Sequence, residues 1–323
     1  MPRTVQVSAP SRLHFGLLRF APAAGLGFGG IGLMIDSPRV VVVLSKANHW
    51  SADGPAAQRA LTWARSALEI FLPTAEFALK IQVSACPNPH TGLGTGTQLA
   101  LATATAVRAL CELPRLPVEE TAPAMGRGLR SAVGSYGFYS GGLILETGQN
   151  TTNSLGKLQQ RLALPRDWNI LLITPQTELG CHGRLEAEAF DQLGAMPESS
   201  SQQLLELATK QIVTAVQQND TATFDQAIYQ YGLLSGECFS SVQGGPFASA
   251  ATARRVAFLR KIGTQGVGQS SWGPTVYALV REESPDTLIA QLASRPEFAD
   301  CRFEITAPDN RGAIVSIDGQ NGR

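Results

Sequence analysis

Hydrophobic and polar positions alternate in TVQVSA, which puts Val5 and Val7 on one face, and again in FALKIQVSA, which does the same for Phe77, Leu79, Ile81 and Val83. This period of two predicts half-buried strands. Between them, VVVVLSK, wholly aliphatic from Val40 to Leu44, predicts a buried strand. Ala57, Leu61, Ala64, Leu68 and Phe71 fall on one face of a helix that Pro73 stops. The period lengthens again after PNPHTGLGTG, where Leu99, Thr103, Ala106 and Leu110 recur at helical spacing. A shorter helix is expected near Val118 to Met125. Glycine-punctuated sequence then leads into a strand over Gly142 to Glu146.

The polar run TGQNTTNSLGKLQQ and Pro165 read as a linker or exposed hairpin, after which WNILLITP opens a second unit. The expected domains are therefore 1–165 and 166–323. In the second, helical patterns lie around Leu185 to Leu193, Leu204 to Val216, Ala222 to Leu234 and Ala248 to Ile262. TVYALV, RFEITA and AIVSI read as strands, with a helix over Thr287 to Leu292 between the first two. The expected arrangement is an antiparallel sheet covered by helices. There is no internal repeat and no low-complexity tract.

Composition narrows the function. The 323 residues are 44% hydrophobic and 16% charged, and 26 Lys plus Arg balance 26 Asp plus Glu. No general affinity for nucleic acid or an anionic membrane is expected, so any anion site must be local. The aliphatic runs are far shorter than the ~20 residues of a membrane span, and MPRTVQVSAP lacks a signal-peptide core, so a cytoplasmic protein is expected. Five scattered cysteines without CxxC spacing predict reduced, partly buried thiols rather than disulfides or a zinc site.

Three stretches carry candidate chemistry. In PNPHTGLGTGTQ, Gly92, Gly94 and Gly96 allow a sharp turn, Thr95 and Thr97 offer hydroxyls and a cap, and the following helix presents its N-terminus, an arrangement suited to phosphate. Neither GxxxxGK[ST] nor GxGxxG is matched, since Gln98 stands where a cation is absent; a ligand-free strand-to-helix turn is the other reading. In APSRLHFGLL, Arg12 and His14 share a strand face and suit a carboxylate or phosphate; alternatively they are a surface arginine beside a core histidine. In GTQGVGQSSWGPTVYALV, glycines surround Ser270 and Ser271 as a donor nest or an ordinary turn. Glu178, His182 and Glu186 fall at i, i+4 and i+8, but Gly180 and Gly183 weaken that helix, and a solvated face is preferred to a metal site.

Taken in order over nearly the whole chain, Pro10 to Gly16, Pro89 to Thr95 and Gly266 to Gly273 resemble the motifs of the GHMP kinase superfamily. The resemblance implies an α+β fold: an N-terminal domain with a left-handed βαβ crossover, a C-terminal ferredoxin-like α/β sandwich, and a ligand cleft between them. More narrowly, SRLHFGLL, GGIGLMIDSP, GLGTGTQLALA, RGLRSAVGSYGF and GGLILETG resemble the β-ribofuranosylaminobenzene 5'-phosphate synthase family. That resemblance implies a homodimer joining phosphoribosyl pyrophosphate to 4-aminobenzoate or 4-hydroxybenzoate, with release of carbon dioxide and pyrophosphate, in methanopterin biosynthesis.

Kinases of the superfamily usually place an aspartate shortly before the glycine pair that precedes the next strand. Here RGLRSAVGSYGFYSGG contains no acid. The synthase chemistry implied by the resemblance needs donors for pyrophosphate, Mg²⁺, and cations for the 5'-phosphate and carboxylate. On that reading Gly92, Leu93, Gly94, Thr95, Gly96 and Thr97 cradle a phosphate, while Arg127, Arg130 and Ser131 form the catalytic set with Arg12 and His14. Arg127 or Arg130 contacts phosphate or carboxylate; Arg12 and His14 orient the aromatic acid or assist the leaving group. Asp36 is the candidate contact for a metal or ring substituent, or simply a turn residue before Pro38. Gly268, Gln269, Ser270 and Ser271 close the cleft from the second domain, and Trp272 stacks on the aromatic ligand or packs in the core. The runner-up is a GHMP-type kinase using ATP and Mg²⁺, followed by a nucleotide-binding protein without catalysis.

Overall fold

The computed structural model describes residues 3–19, 27–149, 154–178, 180, 188–190, 192–281 and 284–318. Its first sheet is built on two long strands, β1 (Thr4–Leu17) and β2 (Gly30–Ala47), paired antiparallel along nearly their whole length. The alternation read in TVQVSA is present, with Val5 and Val7 fully buried. Beyond Pro10 the alternation gives way to near-continuous burial, because the second half of the molecule covers the other face. β3 (Ser51–Asp53) and β4 (Ala78–Ala85) are parallel, joined across α1 (Ala57–Phe71) in a βαβ unit. Pairing order is β11 (Ile314–Ile317), β1, β2, β4, β3, with β5 (Leu143–Glu146) on the far part of β2 and β6 (Leu158–Leu162) beside β5. The polar run before Pro165 thus ends in the outer strand of a hairpin.

With α1, the helices α2 (Thr95–Leu110), α3 (Val118–Ala124) and α4 (Val133–Ser140) build the core over this sheet. The sequence reading contains no α4. Its Gly134 and Gly137 cost helix propensity, but a Cβ at 137 would fall 2.1 Å from Met34 Sδ, so glycine lets the helix pack directly on β2.

The second sheet runs β10-β7-β9-β8, all antiparallel, from β7 (Asn169–Pro175), β8 (Val267–Gln269), β9 (Val276–Val280) and β10 (Cys301–Thr306). The chain order β7, helices, β8, β9, helix, β10 is that of a ferredoxin-like sandwich. Its helices are α5 (Glu198–Glu206), extended through a π-helical stretch Leu207–Val213 into Thr214–Gln218, then α6 (Thr221–Glu237), α7 (Ala250–Lys261) and α8 (Pro285–Ala293).

AIVSI behaves differently from its reading. β11 (Ile314–Ile317) leaves the second sheet and pairs antiparallel with β1, from Val5↔Ile317 to Ser8↔Ile314, so the chain closes on its first unit. Short-range pattern marks a strand but carries no information about its partner. One core cluster runs from Leu13, Phe15, Ile31 and Leu33 to Ile170, Leu172, Phe224 and Tyr231, so the two halves share buried apolar surface. Cys86, Cys111, Cys238 and Cys301 are free and half-buried; Cys181 lies outside the described residues.

Candidate functional site

A cleft of about 520 Å³ lies between the two sheets and is lined by all three stretches singled out above. Arg12 and His14 reach it from β1, Gly92 to Thr97 from the loop and first turn of α2, Arg127 to Ser131 from the loop before α4, and Gln269, Ser271 and Trp272 from the end of β8 and the turn after it. Four arginines line it and, among the described residues, no aspartate, glutamate or lysine does.

One end is an anion cradle. The N-cap of α2 is Gly94 in left-handed backbone (φ 73°), with no side-chain cap, which corrects the expectation that Thr95 or Thr97 caps the helix. Thr97 N donates to Gly94 O (3.0 Å), which leaves the N–H groups of Thr95 and Gly96 to a ligand. A Cβ built at Gly96 would lie 3.1 Å from Arg59 Nη2 and 3.8 Å from Arg127 Nη1, so two guanidiniums flank the helix end. Burial, then the Arg59 charge, lowers the Arg127 pKa. Two cations pressed together beside uncapped amides are unfavourable alone and become favourable around a dianion. Thr95 Oγ1 is buried in the same wall and has no hydrogen-bond partner among the described residues. Arg59 was not legible in the sequence: on α1 it reads as one more charge on the solvated face.

Sequence reasoning expected the second-domain loop to close over ligand, and the geometry divides its residues. Gln269 and Ser271 line the cleft, whereas Ser270 is fully buried and works as a clamp. Its hydroxyl donates to Gly92 O (2.7 Å) and accepts from His14 N (3.1 Å), while Ser271 N donates to His14 O (2.9 Å). Gly268 packs on Tyr277, and Gly273 meets the backbone of Thr91 and Gly92. These glycines let the loops pack closely; Gly273 also lines the cleft, and Gly268 stands behind it. Gln269 has its amide engaged, Nε2 donating to Ser271 O (2.6 Å) and Oε1 accepting from Ala248 N (2.8 Å).

The other end is aromatic. Trp272 stacks on Phe190 (centroids 5.0 Å apart, 28° between planes) and meets Phe239 edge-on at 5.0 Å; all three line the cleft. Arg130 lies over the Phe190 ring, 4.8 Å from its centroid. This slot presents ring faces and one cation, the complement of an aromatic carboxylate. Truncating Arg130 leaves the Phe190–Phe239–Trp272 cluster in place. We therefore expect Arg130→Ala to keep its unfolding midpoint while losing about 100-fold in turnover. Undiminished turnover in a folded variant would exclude Arg130 from the chemistry.

Between the two ends, His14 Nε2 is 2.9 Å from Ser131 Oγ. Burial, then the neighbouring Arg12 guanidinium, holds His14 well below its ordinary pKa, so the imidazole is neutral. Behind Ser131 lies Glu146, 1% exposed at the end of β5. Its Oε1 accepts from Ala132 N (3.1 Å) and its Oε2 from Gly148 N (2.9 Å), and the nearby Ser131 hydroxyl also favours the charged form. Burial outweighs these bonds and pushes Glu146 up to about 7. The acid missing from RGLRSAVGSYGFYSGG is thus supplied four residues later, and the signal available was an acid closing the apolar strand LILE.

Folding disfavours the Glu146 carboxylate. As pH rises from about 4.5 to about 7 the unfolded chain releases a proton that the folded chain retains. Stability should fall across that window, with the full penalty present above pH 7. Glu146→Gln should flatten this slope in urea unfolding at pH 4.5 to 7.5, whereas an unchanged slope would assign it to other groups.

Asp36 stands outside the cleft, more than half exposed, with its carboxylate on Arg39 Nη1 (2.9 Å). No group of three His, Cys, Asp or Glu able to hold a metal occurs among the described residues. The described lining therefore offers hydroxyls and amides but no resident Mg²⁺ site. His182 and Glu186 lie outside the described residues, and Glu178 is taken by Arg255 (2.7 Å). No described helix is long and apolar enough to cross a membrane.

No protein-family model matches the chain. Two curated proteins do, from end to end. The beta-ribofuranosylphenol 5'-phosphate synthase of Methanothermobacter thermautotrophicus is 26% identical over 331 residues, covering 96% of this chain and 98% of that protein. The protein of the same name from Archaeoglobus fulgidus is 26% identical over 345 residues, covering 97% and 100%. Among solved structures, a homoserine kinase from Cytophaga hutchinsonii superposes with a TM-score of 0.66 at 16% identity, covering 97% of each chain. The Methanococcus jannaschii mevalonate kinase superposes at 0.63 and 14%, covering 94% and 98%. With three motif stretches meeting in one interdomain cleft, the chain is an enzyme of the GHMP kinase fold, akin over its full length to the beta-ribofuranosylphenol 5'-phosphate synthases.

Proposed function

We propose that this enzyme is a decarboxylating phosphoribosyl transferase. It joins phosphoribosyl pyrophosphate to 4-hydroxybenzoate or 4-aminobenzoate and releases carbon dioxide and pyrophosphate, in methanopterin biosynthesis. The two-ended cleft carries this reading: an α2 N-terminus flanked by Arg59 and Arg127 at one end, and a Phe190–Phe239–Trp272 slot under Arg130 at the other. The names of the two full-length relatives support it.

In this reaction the bond from ribose C1' to the diphosphate breaks with its electrons, and the ring carbon bearing the carboxylate bonds to C1'. Loss of carbon dioxide then restores aromaticity. The first cost is negative charge on the departing diphosphate, which the α2 amides and two guanidiniums offset without a moving proton. Magnesium would enter as the counter-ion of the diphosphate substrate rather than on a carboxylate of the described lining. The aromatic wall excludes water, which would otherwise capture the ribosyl cation, and holds the ring over C1'.

The second reading, an ATP-dependent kinase, gains from Glu146, which restores an acid to the neighbourhood where its absence argued against phosphoryl transfer. One assay separates the two. Purified protein is given phosphoribosyl pyrophosphate, Mg²⁺ and either acid, with ADP formation from ATP and a small alcohol run in parallel. Stoichiometric carbon dioxide and pyrophosphate are expected; ADP without carbon dioxide would reverse the assignment. Sedimentation of the same sample tests the homodimer implied by the resemblance.

A further inference from the structure

The imidazole of His14 at the cleft, the hydroxyl of Ser131 on its Nε2 (2.9 Å) and the buried carboxyl of Glu146, whose charged form Ser131 favours, are grouped between the cleft and the interior. Every link is bidirectional. With Glu146 ionised, Ser131 O–H donates to the carboxylate and His14 Nε2–H donates to Ser131. With Glu146 protonated, the carboxyl donates to Ser131, Ser131 donates to Nε2, and the imidazole proton resides on Nδ1. Nδ1 has no hydrogen-bond partner among the described residues, and His14 lines the cleft.

Resting on the transferase reading, we propose that His14, Ser131 and Glu146 are a proton wire that takes the proton from the hydroxyl of a phenolic acceptor and returns it within one turnover. As the ring carbon bonds to C1', the phenolic proton passes to His14 Nδ1, the Nε2 proton to Ser131 Oγ, and the Ser131 proton to the Glu146 carboxylate. The acceptor is then a neutral cyclohexadienone that still carries its carboxylate. When carbon dioxide leaves, the electrons of the broken C–C bond return to the ring, the dienone oxygen becomes phenolate, and the wire runs backwards to reprotonate it. Protons and electrons balance, and His14 stays neutral throughout, as its burial beside Arg12 requires.

The surroundings suit a proton store. The ionisable groups facing Glu146 are Tyr136 from α4 and Tyr231 from α6, both held as neutral phenols by burial first. The bonds from Ala132 N and Gly148 N hold both carboxyl oxygens in place. Gly156 faces Oε2 so closely that a Cβ there would lie 2.2 Å away, which closes the far side. His14 is the catalytic residue of the wire, and Glu146 acts through Ser131.

Two measurements on the whole protein test the wire. First, ¹⁵N-histidine NMR should show His14 changing from the Nε2–H to the Nδ1–H tautomer as pH falls through about 7, where Glu146 titrates. The change should vanish in Glu146→Gln and in Ser131→Ala. A single tautomer across pH 5.5 to 8.5 would overturn the wire whatever the enzyme's substrate. Second, turnover with 4-hydroxybenzoate should rise with pH to a midpoint near 7. In Glu146→Gln, kcat should fall about 100-fold with KM for both substrates within about twofold, and the midpoint should disappear. Retained kcat and pH midpoint in either variant would remove the wire from catalysis. If the tautomer switches but the wild type releases no carbon dioxide, the wire stands and the transferase reading fails.

Discussion

Arg127→Met should lower kcat/KM for phosphoribosyl pyrophosphate by on the order of 10² to 10³ while leaving the protein as stable as the wild type or more so. The two effects diverge because the guanidinium is arranged for a ligand rather than for the fold. Its pKa is lowered by burial and then by Arg59, so the folded protein disfavours that charge. Methionine removes the charge and keeps a flexible side chain on the Trp63 ring, which the guanidinium now covers at 4.7 Å. Losing a charge-assisted contact to phosphate costs about 3 kcal/mol, roughly 100-fold. Isothermal titration with inorganic pyrophosphate and thermal unfolding check both halves. A variant with full affinity would move the anion cradle elsewhere, and one that unfolds early would make Arg127 a structural residue.

Gly92→Ala should cost about 3 to 5 kcal/mol of stability and abolish turnover. Gly92 has φ +88°, and its missing Cβ would fall 2.2 Å from Ser270 O, a backbone atom of the other half. Left-handed strain alone accounts for about 1 kcal/mol or more; the clash forces the two loops apart. Separation breaks the bond from Ser270 Oγ to Gly92 O and that from Arg12 Nη1 to Gly92 O (3.1 Å), so both sides of the site shift together. Gly126→Ala is the control. It carries the same backbone strain (φ +62°) with nothing within 4 Å of the added Cβ, and should lose about 1 kcal/mol. Equal unfolding midpoints in urea would mean that the close approach of the two loops contributes nothing.

Local features of the sequence led to several parts of the site. Val5, Val7, Leu79 and Ile81 are buried where a period of two places them, and α2 begins within the glycine loop. Arg12 and His14, two apart on one strand, both reach the cleft, as alternation requires. Glu146 and Arg59 escaped the same reading because what gives each its place in the site lies on another element. Glu146 closes a strand whose neighbour across the fold is the N-terminus of α4, and Arg59 lies on the polar face of a helix whose end meets the glycine loop.

By itself the sequence determined the alternating strands, the helical periods, the glycine loops and the motif strings of a GHMP-like enzyme, because each rests on backbone preferences and side-chain periodicities that act over a few residues. Only the tertiary structure decided that β11 returns to β1, that Ser270 and Gly273 hold one loop against another, and that a buried carboxyl stands behind Ser131. Pairing partners, close backbone approaches and burial of a charge depend on what the chain brings together from hundreds of residues away, and the local period of the sequence does not record them.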